Sequence, residues 1–151
     1  MVSIRFVDYA EFPEVSEFYR ETEYAGAVLP SDKLVIAVRG SELVGVYRLA
    51  REHGALVLRG MRVHASARHQ GVGTRLLDGL RGLKERCYCV AHAHLESFYG
   101  RAGFVSLREE HAPPFLSKRL AEYQAQGLNV RIMRREPGSV SDRADAPRKF
   151  S

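Results

Sequence analysis

The sequence predicts an α/β (α+β) fold, a mixed and mostly antiparallel central sheet with helices on both faces. Three observations carry this. Short apolar or alternating runs recur along the chain and are interleaved with stretches of helical spacing, in the order strand, helix, three strands, helix, strand, helix, strand, helix, strand. The three consecutive strands are separated only by short turns, which fits an antiparallel meander. The chain is 151 residues long, with 45% apolar and 27% charged residues, as expected for a single globular domain.

Val2 to Val7 alternates and predicts a first strand. Asp8 followed by Glu11 has the spacing of a capping box, and Phe12, Val15, Phe18 and Tyr19 continue at helical spacing. Pro13 fits that helix only in its first turn. Glu21 to Asp32 reads as a loop or a short second helix. Lys33 to Val38, Leu43 to Ala50 and Ala55 to Val63 are the meander strands. Val72, Leu76, Leu80 and Leu83 form one helical stripe, in which Gly79 and Gly82 each cost about 1 kcal/mol.

Arg86 to Ala91 is the next strand, expected to run parallel to Ala55–Val63 because a helix intervenes. Leu95 to Ala102 is a short helix that Gly103 ends, and Phe104 to Leu107 a strand. Pro113-Pro114 starts a helix that Gly127 closes, and Leu128, Val130 and Ile132 alternate as a last strand. Residues 1–136 make the domain. From Pro137 to Ser151 the composition turns to Gly, Ser, Asp, Arg and Pro, and a disordered tail is expected.

No apolar run approaches a membrane span, and the first residues lack a signal-peptide core, so a cytoplasmic protein without membrane association is expected. The net charge of +5 suits an anionic ligand, but the arginines are spread along the chain and disfavour nucleic acid as a partner. Cys87 and Cys89 point to one side of a strand while His92 and His94 point to the other. That arrangement favours reduced, packed cysteines over a metal site.

Two motifs carry chemistry. Arg68-His69-Gln70-Gly71-Val72-Gly73-Thr74 lies between an apolar run and an amphipathic one. Its glycines let backbone approach a ligand, the first amides of a following helix lack internal partners, and Arg68 has a fork matched to phosphate oxygens. It is not a P-loop, because Gly73 is followed by Thr74-Arg75 rather than a Lys-Ser/Thr pair. Nor is it a dinucleotide fingerprint, since Leu76 stands where a third glycine is needed. The second motif is Ser97-Phe98-Tyr99-Gly100-Arg101-Ala102-Gly103-Phe104.

The spacing Arg68-x-x-Gly71-x-Gly73 resembles the acyl-CoA pyrophosphate loop of the GNAT acetyltransferase superfamily. Tyr99-x-x-x-Gly103-Phe104 resembles a second segment of that family, and the element order is similar over nearly all of residues 2 to 135. The resemblance implies the GNAT-like acyl-CoA N-acyltransferase fold, with the strands Ala55–Val63 and Arg86–Ala91 splayed to admit a pantetheine arm. It implies acetyl-CoA as acyl-donor cosubstrate, an amine acceptor (small molecule or peptide), and direct attack in a ternary complex. Arg68, His69, Gly71, Val72, Gly73 and Thr74 would bind the cofactor, and backbone amides near Met61 and Val63 would hold the thioester carbonyl.

Tyr99 would protonate the leaving thiolate, since a phenol with a pKa near ~10 keeps its proton at neutral pH. A core tyrosine is the competing reading. Many family members carry a glutamate on the strand equivalent to Ala55–Val63, and none stands there, so His92, His94 or water is left as the base. Arg101 is read either as a contact to the 3′-phosphate or as a surface residue, and His64 as structural. A non-catalytic acyl-CoA-binding regulatory module is the alternative function, and a homodimer through the last strand is compatible with the pattern.

Overall fold

The structure is a computed structural model that describes residues 1–138. Of the expected tail, residues 139–151 lie outside the described residues. Among the described residues, seven strands and four α-helices follow one another in the predicted order. They gather into two compact units, one of Met1–Glu52 with Val57–Leu80, the other of His53–Leu56 with the chain from Arg81 onward.

The first unit holds β1 (Val2–Asp8), α1 (Val15–Glu21), β2 (Lys33–Arg39), β3 (Glu42–Glu52), most of β4 (Ala55–Val63) and α2 (Val72–Asp78). Its strands lie in the order β1-β2-β3-β4. β1 pairs antiparallel with β2 from Val2 opposite Arg39 to Asp8 opposite Lys33. β2 pairs antiparallel with β3, and the register shifts between Ala37 and Val38.

β2 and β3 are buried along most of their length, and their two faces take different helices. Leu34, Ile36, Val38 and Val46 pack with Val15, Phe18 and Tyr19 of α1. The alternate residues face α2: a Cβ on Gly79 would come within 2.9 Å of Val35 and 3.3 Å of the Tyr47 hydroxyl. A Cβ on Gly45 would lie 2.9 Å from Leu76. Both glycines let helix and sheet backbones approach closely.

α1 and α2 differ from the sequence reading in the same way. The Asp8–Glu11 pair does close a box, with Glu11 accepting from the Asp8 amide at 2.8 Å, but it caps a single 3-10 turn at Tyr9–Glu11. Pro13 cannot donate into a continuous helix, so α1 starts afresh at Val15. α2 was expected to reach Leu83 and stops at Asp78. Gly79 caps it and Gly82, at φ 80°, turns the chain away, while Leu80 stays fully buried. The segment between α1 and β2 is a loop and not a second helix.

The second unit holds β5 (Cys87–His92), α3 (Glu96–Gly100), β6 (Phe104–Ser106), α4 (Pro114–Ala125) and β7 (Val130–Arg135). β7 lies between β5 and β6 and is antiparallel to both. Its two edges are therefore paired, and strand-to-strand dimerisation at this end would have to use β6 instead. β7 starts later than expected because Gly127, at φ 85°, closes α4 while the Leu128 amide still donates to Tyr123 at 3.1 Å. Leu116 and Leu120 of α4 pack with Tyr88, Val130 and Ile132. Cys87 and Cys89 are both buried thiols.

Two buried acids tie stability to pH. Burial, then Tyr24, raises the Tyr19 pKa above its ordinary 10.0. Burial, then Cys87, raises that of Cys89 well above 9.0. Each group holds its proton more tightly folded than unfolded, so its contribution is complete at neutral pH and is lost as pH rises past the ordinary value. The unfolding free energy from urea titrations is expected to be flat from pH 7 to 8 and to fall above about pH 9, approaching about 1.4 kcal/mol per pH unit for each group. Cys89→Ala should remove the part of the fall that begins first. Stability unchanged up to pH 11 would contradict this account.

Candidate functional site

The first chemical motif lies within the first unit, on the connection from β4 to α2. His64 opens it: its amide donates to the Val44 carbonyl at 2.8 Å, and its Nδ1 accepts from the Ser66 amide at 3.1 Å. The ring thus caps a 3-10 turn at Ala65–Ala67, and Ala67 is fully buried. This is the structural role expected of His64. Arg39 braces the same turn, donating from Nη2 to Ser66 Oγ at 3.3 Å, while Gln70 Nε2 donates to the Ser66 carbonyl at 3.1 Å.

Past the turn, Arg68 is extended and exposed, with its Nε donating to the Val63 carbonyl at 3.2 Å. His69 follows at φ 62° and Gly71 at φ 77°. The left-handed positions are therefore His69 and Gly71. Histidine tolerates that region better than a branched residue would. Gly73 instead sits inside α2, one residue after Val72 and one before Thr74.

The Arg75 amide makes the first helical bond, to Gly71 O at 3.1 Å, so the amides of Val72, Gly73 and Thr74 precede any intrahelical acceptor. Val72 is buried and anchors the turn, while Gly71 and Thr74 are exposed. No side chain approaches the Gly71 Cα, since a Cβ built there meets nothing within 4 Å.

β4 supplies the other predicted cofactor residues, Met61 and Val63, both half-buried. Their strand is not regular. Gly60 has φ 69°, a backbone region that breaks the pleat and marks a bulge. The Gly60 carbonyl accepts from the Tyr19 hydroxyl at 2.8 Å. A Cβ at this position would sit 2.7 Å from that oxygen. Sequence reasoning missed both residues, although a lone glycine inside an apolar strand was the available signal.

Beside the bulge lies a polar cluster that the sequence also concealed. Arg48 is 3% exposed and donates to Tyr24 Oη from Nε at 3.1 Å and from Nη2 at 2.9 Å. Its Nη1 donates to Asp32 Oδ2 at 2.9 Å. Burial works against the Arg48 cation, but the bonds to Tyr24 and Asp32 outweigh it and hold its pKa above the ordinary value. Asp32 also accepts from the Leu29 amide at 2.9 Å. Arg62 of β4 lies over the Tyr24 ring at 5.1 Å, and the Tyr19 and Tyr24 rings are 4.4 Å apart. The loop from Thr22 to Asp32 is thus latched onto β3 and β4 from within.

Tyr99 belongs to the second unit, on α3, and is 6% exposed. It meets Phe98 and Phe104 edge-on, at 5.1 and 5.7 Å between ring centroids. His92 and His94 are exposed, with their rings stacked at 5.6 Å. Arg101 is exposed as well. The second unit also carries a concavity of about 550 Å³ lined by His53, Gly54, Tyr88, Pro113 and Phe115, among others, and no predicted site residue lines it.

The fold finds a counterpart among known proteins. A family model described as the acetyltransferase (GNAT) domain matches residues 8–113, more than half of the chain. The chain belongs to the GNAT acetyltransferase family. Solved structures share the fold. ElaA of Escherichia coli superposes with a TM-score of 0.64 at 16% identity, over 90% of this chain and 100% of that one. An acyl-CoA N-acyltransferase from Pseudomonas aeruginosa gives 0.62 at 22% identity, over 89% and 99%.

N-acetylglutamate synthase from Neisseria gonorrhoeae, solved with coenzyme A and N-acetyl-glutamate, gives 0.60 at 23% identity and 89% of this chain. The present chain spans about a third of that protein, 35% of its length. At these identities the likeness is one of fold. Comparison with curated proteins finds no match. Among the described residues no helix is long and apolar enough to cross a membrane.

The buried Arg48–Asp32 pair makes the latch testable. Arg48→Met removes the cation and leaves the carboxylate enclosed, and is expected to cost about 3–5 kcal/mol in urea denaturation. Asp32→Asn keeps an acceptor for the Leu29 amide but strands the Arg48 cation, and should cost a comparable amount. Small losses for both would show that the pair does not hold the loop.

Proposed function

We propose that this protein is an N-acetyltransferase that moves the acetyl group of acetyl-CoA to a primary amine by direct attack in a ternary complex. The observation that carries the reading is the Arg68–Thr74 loop, held open by left-handed His69 and Gly71 within the span matched to the family. Gly71, Val72, Gly73 and Thr74 offer their amides to the pyrophosphate of the donor, with His69 in the same turn. Arg68, tethered through Nε to the Val63 carbonyl, adds a charge-assisted contact to phosphate. The amides near Met61 and Val63 receive the thioester carbonyl, whose oxygen gains negative charge as the amine adds. The acetyl C–S bond then breaks, and Tyr99 gives its proton to the departing thiolate.

Family membership and the Tyr99-Gly103-Phe104 spacing support the role of Tyr99. β4 carries no carboxylate, so the amine's proton passes to water or to the exposed imidazoles of His92 and His94. Two buried cysteines held as thiols fit a reducing compartment, and the cytoplasm is the proposed location. The acceptor is a small molecule or a peptide. Residues 1–136 are proposed as the catalytic domain.

Calorimetry with CoA and thiol release from acetyl-CoA across a panel of amines test this reading. The wild-type chain is expected to bind CoA and to release thiol only when a suitable amine is present. Arg68→Ala should weaken CoA binding about tenfold, as the loss of one charge-assisted bond implies. Tyr99→Phe should leave CoA affinity within about twofold and lower turnover about 10²-fold. Unchanged turnover removes Tyr99 from the mechanism. CoA binding without turnover on any amine would instead identify an acyl-CoA-binding regulatory module, the function that a β4 strand without a carboxylate also allows.

A further inference from the structure

Tyr19 carries a buried hydroxyl that the mechanism above does not use. It projects from α1, is 3% exposed, and its hydroxyl donates to the Gly60 carbonyl at 2.8 Å. A carbonyl in an ordinary strand points to a neighbouring strand. The Gly60 carbonyl points to a helix instead, at the one residue of β4 with positive φ.

The chain has no cis peptide among its described residues, so the Gly60–Met61 peptide is trans and its C=O and N–H point in opposite directions. Anchoring the carbonyl on Tyr19 therefore turns the Met61 N–H away from α1 and fixes it there. A side chain at position 60 would collide with the same hydroxyl, since a Cβ would lie 2.7 Å from it. Glycine and tyrosine are matched across this contact.

We propose that Tyr19 is a positioning residue: through the Gly60 carbonyl it sets the direction of the Met61 amide that receives the thioester oxygen. The inference rests on the proposed acyl-CoA site. Burial raises the pKa of Tyr19 above its ordinary value, so the phenol remains a donor throughout the working pH range and does not exchange protons during turnover. The Tyr24 ring, 4.4 Å away, and Arg62, over that ring at 5.1 Å, confine the phenol laterally. Its freedom to leave Gly60 is correspondingly small.

The test compares CoA, which lacks the carbonyl, with acetyl-CoA, which has it. In Tyr19→Phe, CoA affinity should stay within about twofold of wild type, while the affinity for acetyl-CoA relative to CoA falls about three- to tenfold, the range for one lost hydrogen bond. Turnover with a productive amine should fall, with KM for the amine unchanged. A stability defect alone would weaken both ligands together and leave their ratio intact, which would overturn the proposal.

Should Tyr19→Phe not fold, the wild-type chain answers by NMR. The Met61 amide proton should shift on adding acetyl-CoA and not on adding CoA; equal shifts or none overturn the assignment. Failure of the underlying site looks different, since the wild type would then bind neither ligand.

Discussion

The ion pair between Arg48 and Asp32 is the interaction on which the first unit depends. Both side chains are almost completely buried, at 4% and 1% exposure, so neither charge is compensated by water. An enclosed charge left without a partner costs several kcal/mol, whereas a paired one with its hydrogen bonds filled roughly breaks even. The pair therefore acts less as a source of stability than as a selector of one loop path. Only a path that brings Asp32 and Tyr24 to the Arg48 fork satisfies its three bonds. That path sets the Tyr24 ring against Tyr19 and Gly60.

The sheet of this unit turns this local order into a division of labour. On one side α1 and the latched loop cover the alternate residues of β2 and β3. On the other, Gly45 and Gly79 let α2 lie close to the strands. Close packing holds α2 in place although it is only seven residues long. An isolated helix of that length would not persist in water. Its first turn inherits that fixed position, as does the loop that feeds it.

Much of this was legible in the chain. Short apolar or alternating runs gave every strand, and paired motifs around a strand gave the family, because both depend on short-range spacing. Helix lengths were less legible. Leu80 and Leu83 continue the stripe of α2, yet Gly79 and Gly82 end it, a case where backbone freedom outweighs side-chain period. At Asp8–Glu11 a correct box capped only one turn, because Pro13 breaks the run of helical bonds two residues later.

The polar cluster was invisible for a different reason. Tyr19, Tyr24, Asp32, Arg48 and Gly60 come together only through tertiary structure, and a buried arginine has the same letter as a solvated one. In the glycine loop the left-handed turn at His69 was not foreseen, because no glycine marks it.

The two cysteines have a practical bearing. Cys87 and Cys89 are the only sulfhydryls of the chain and are 0% and 1% exposed in β5. In an assay of the proposed activity, a chromogenic disulfide reagent added to the native protein would therefore titrate any coenzyme released with almost no background from the protein itself. Once the second unit opens, two equivalents of colour per chain would appear. One optical trace would thus separate catalysis from denaturation in the same cuvette.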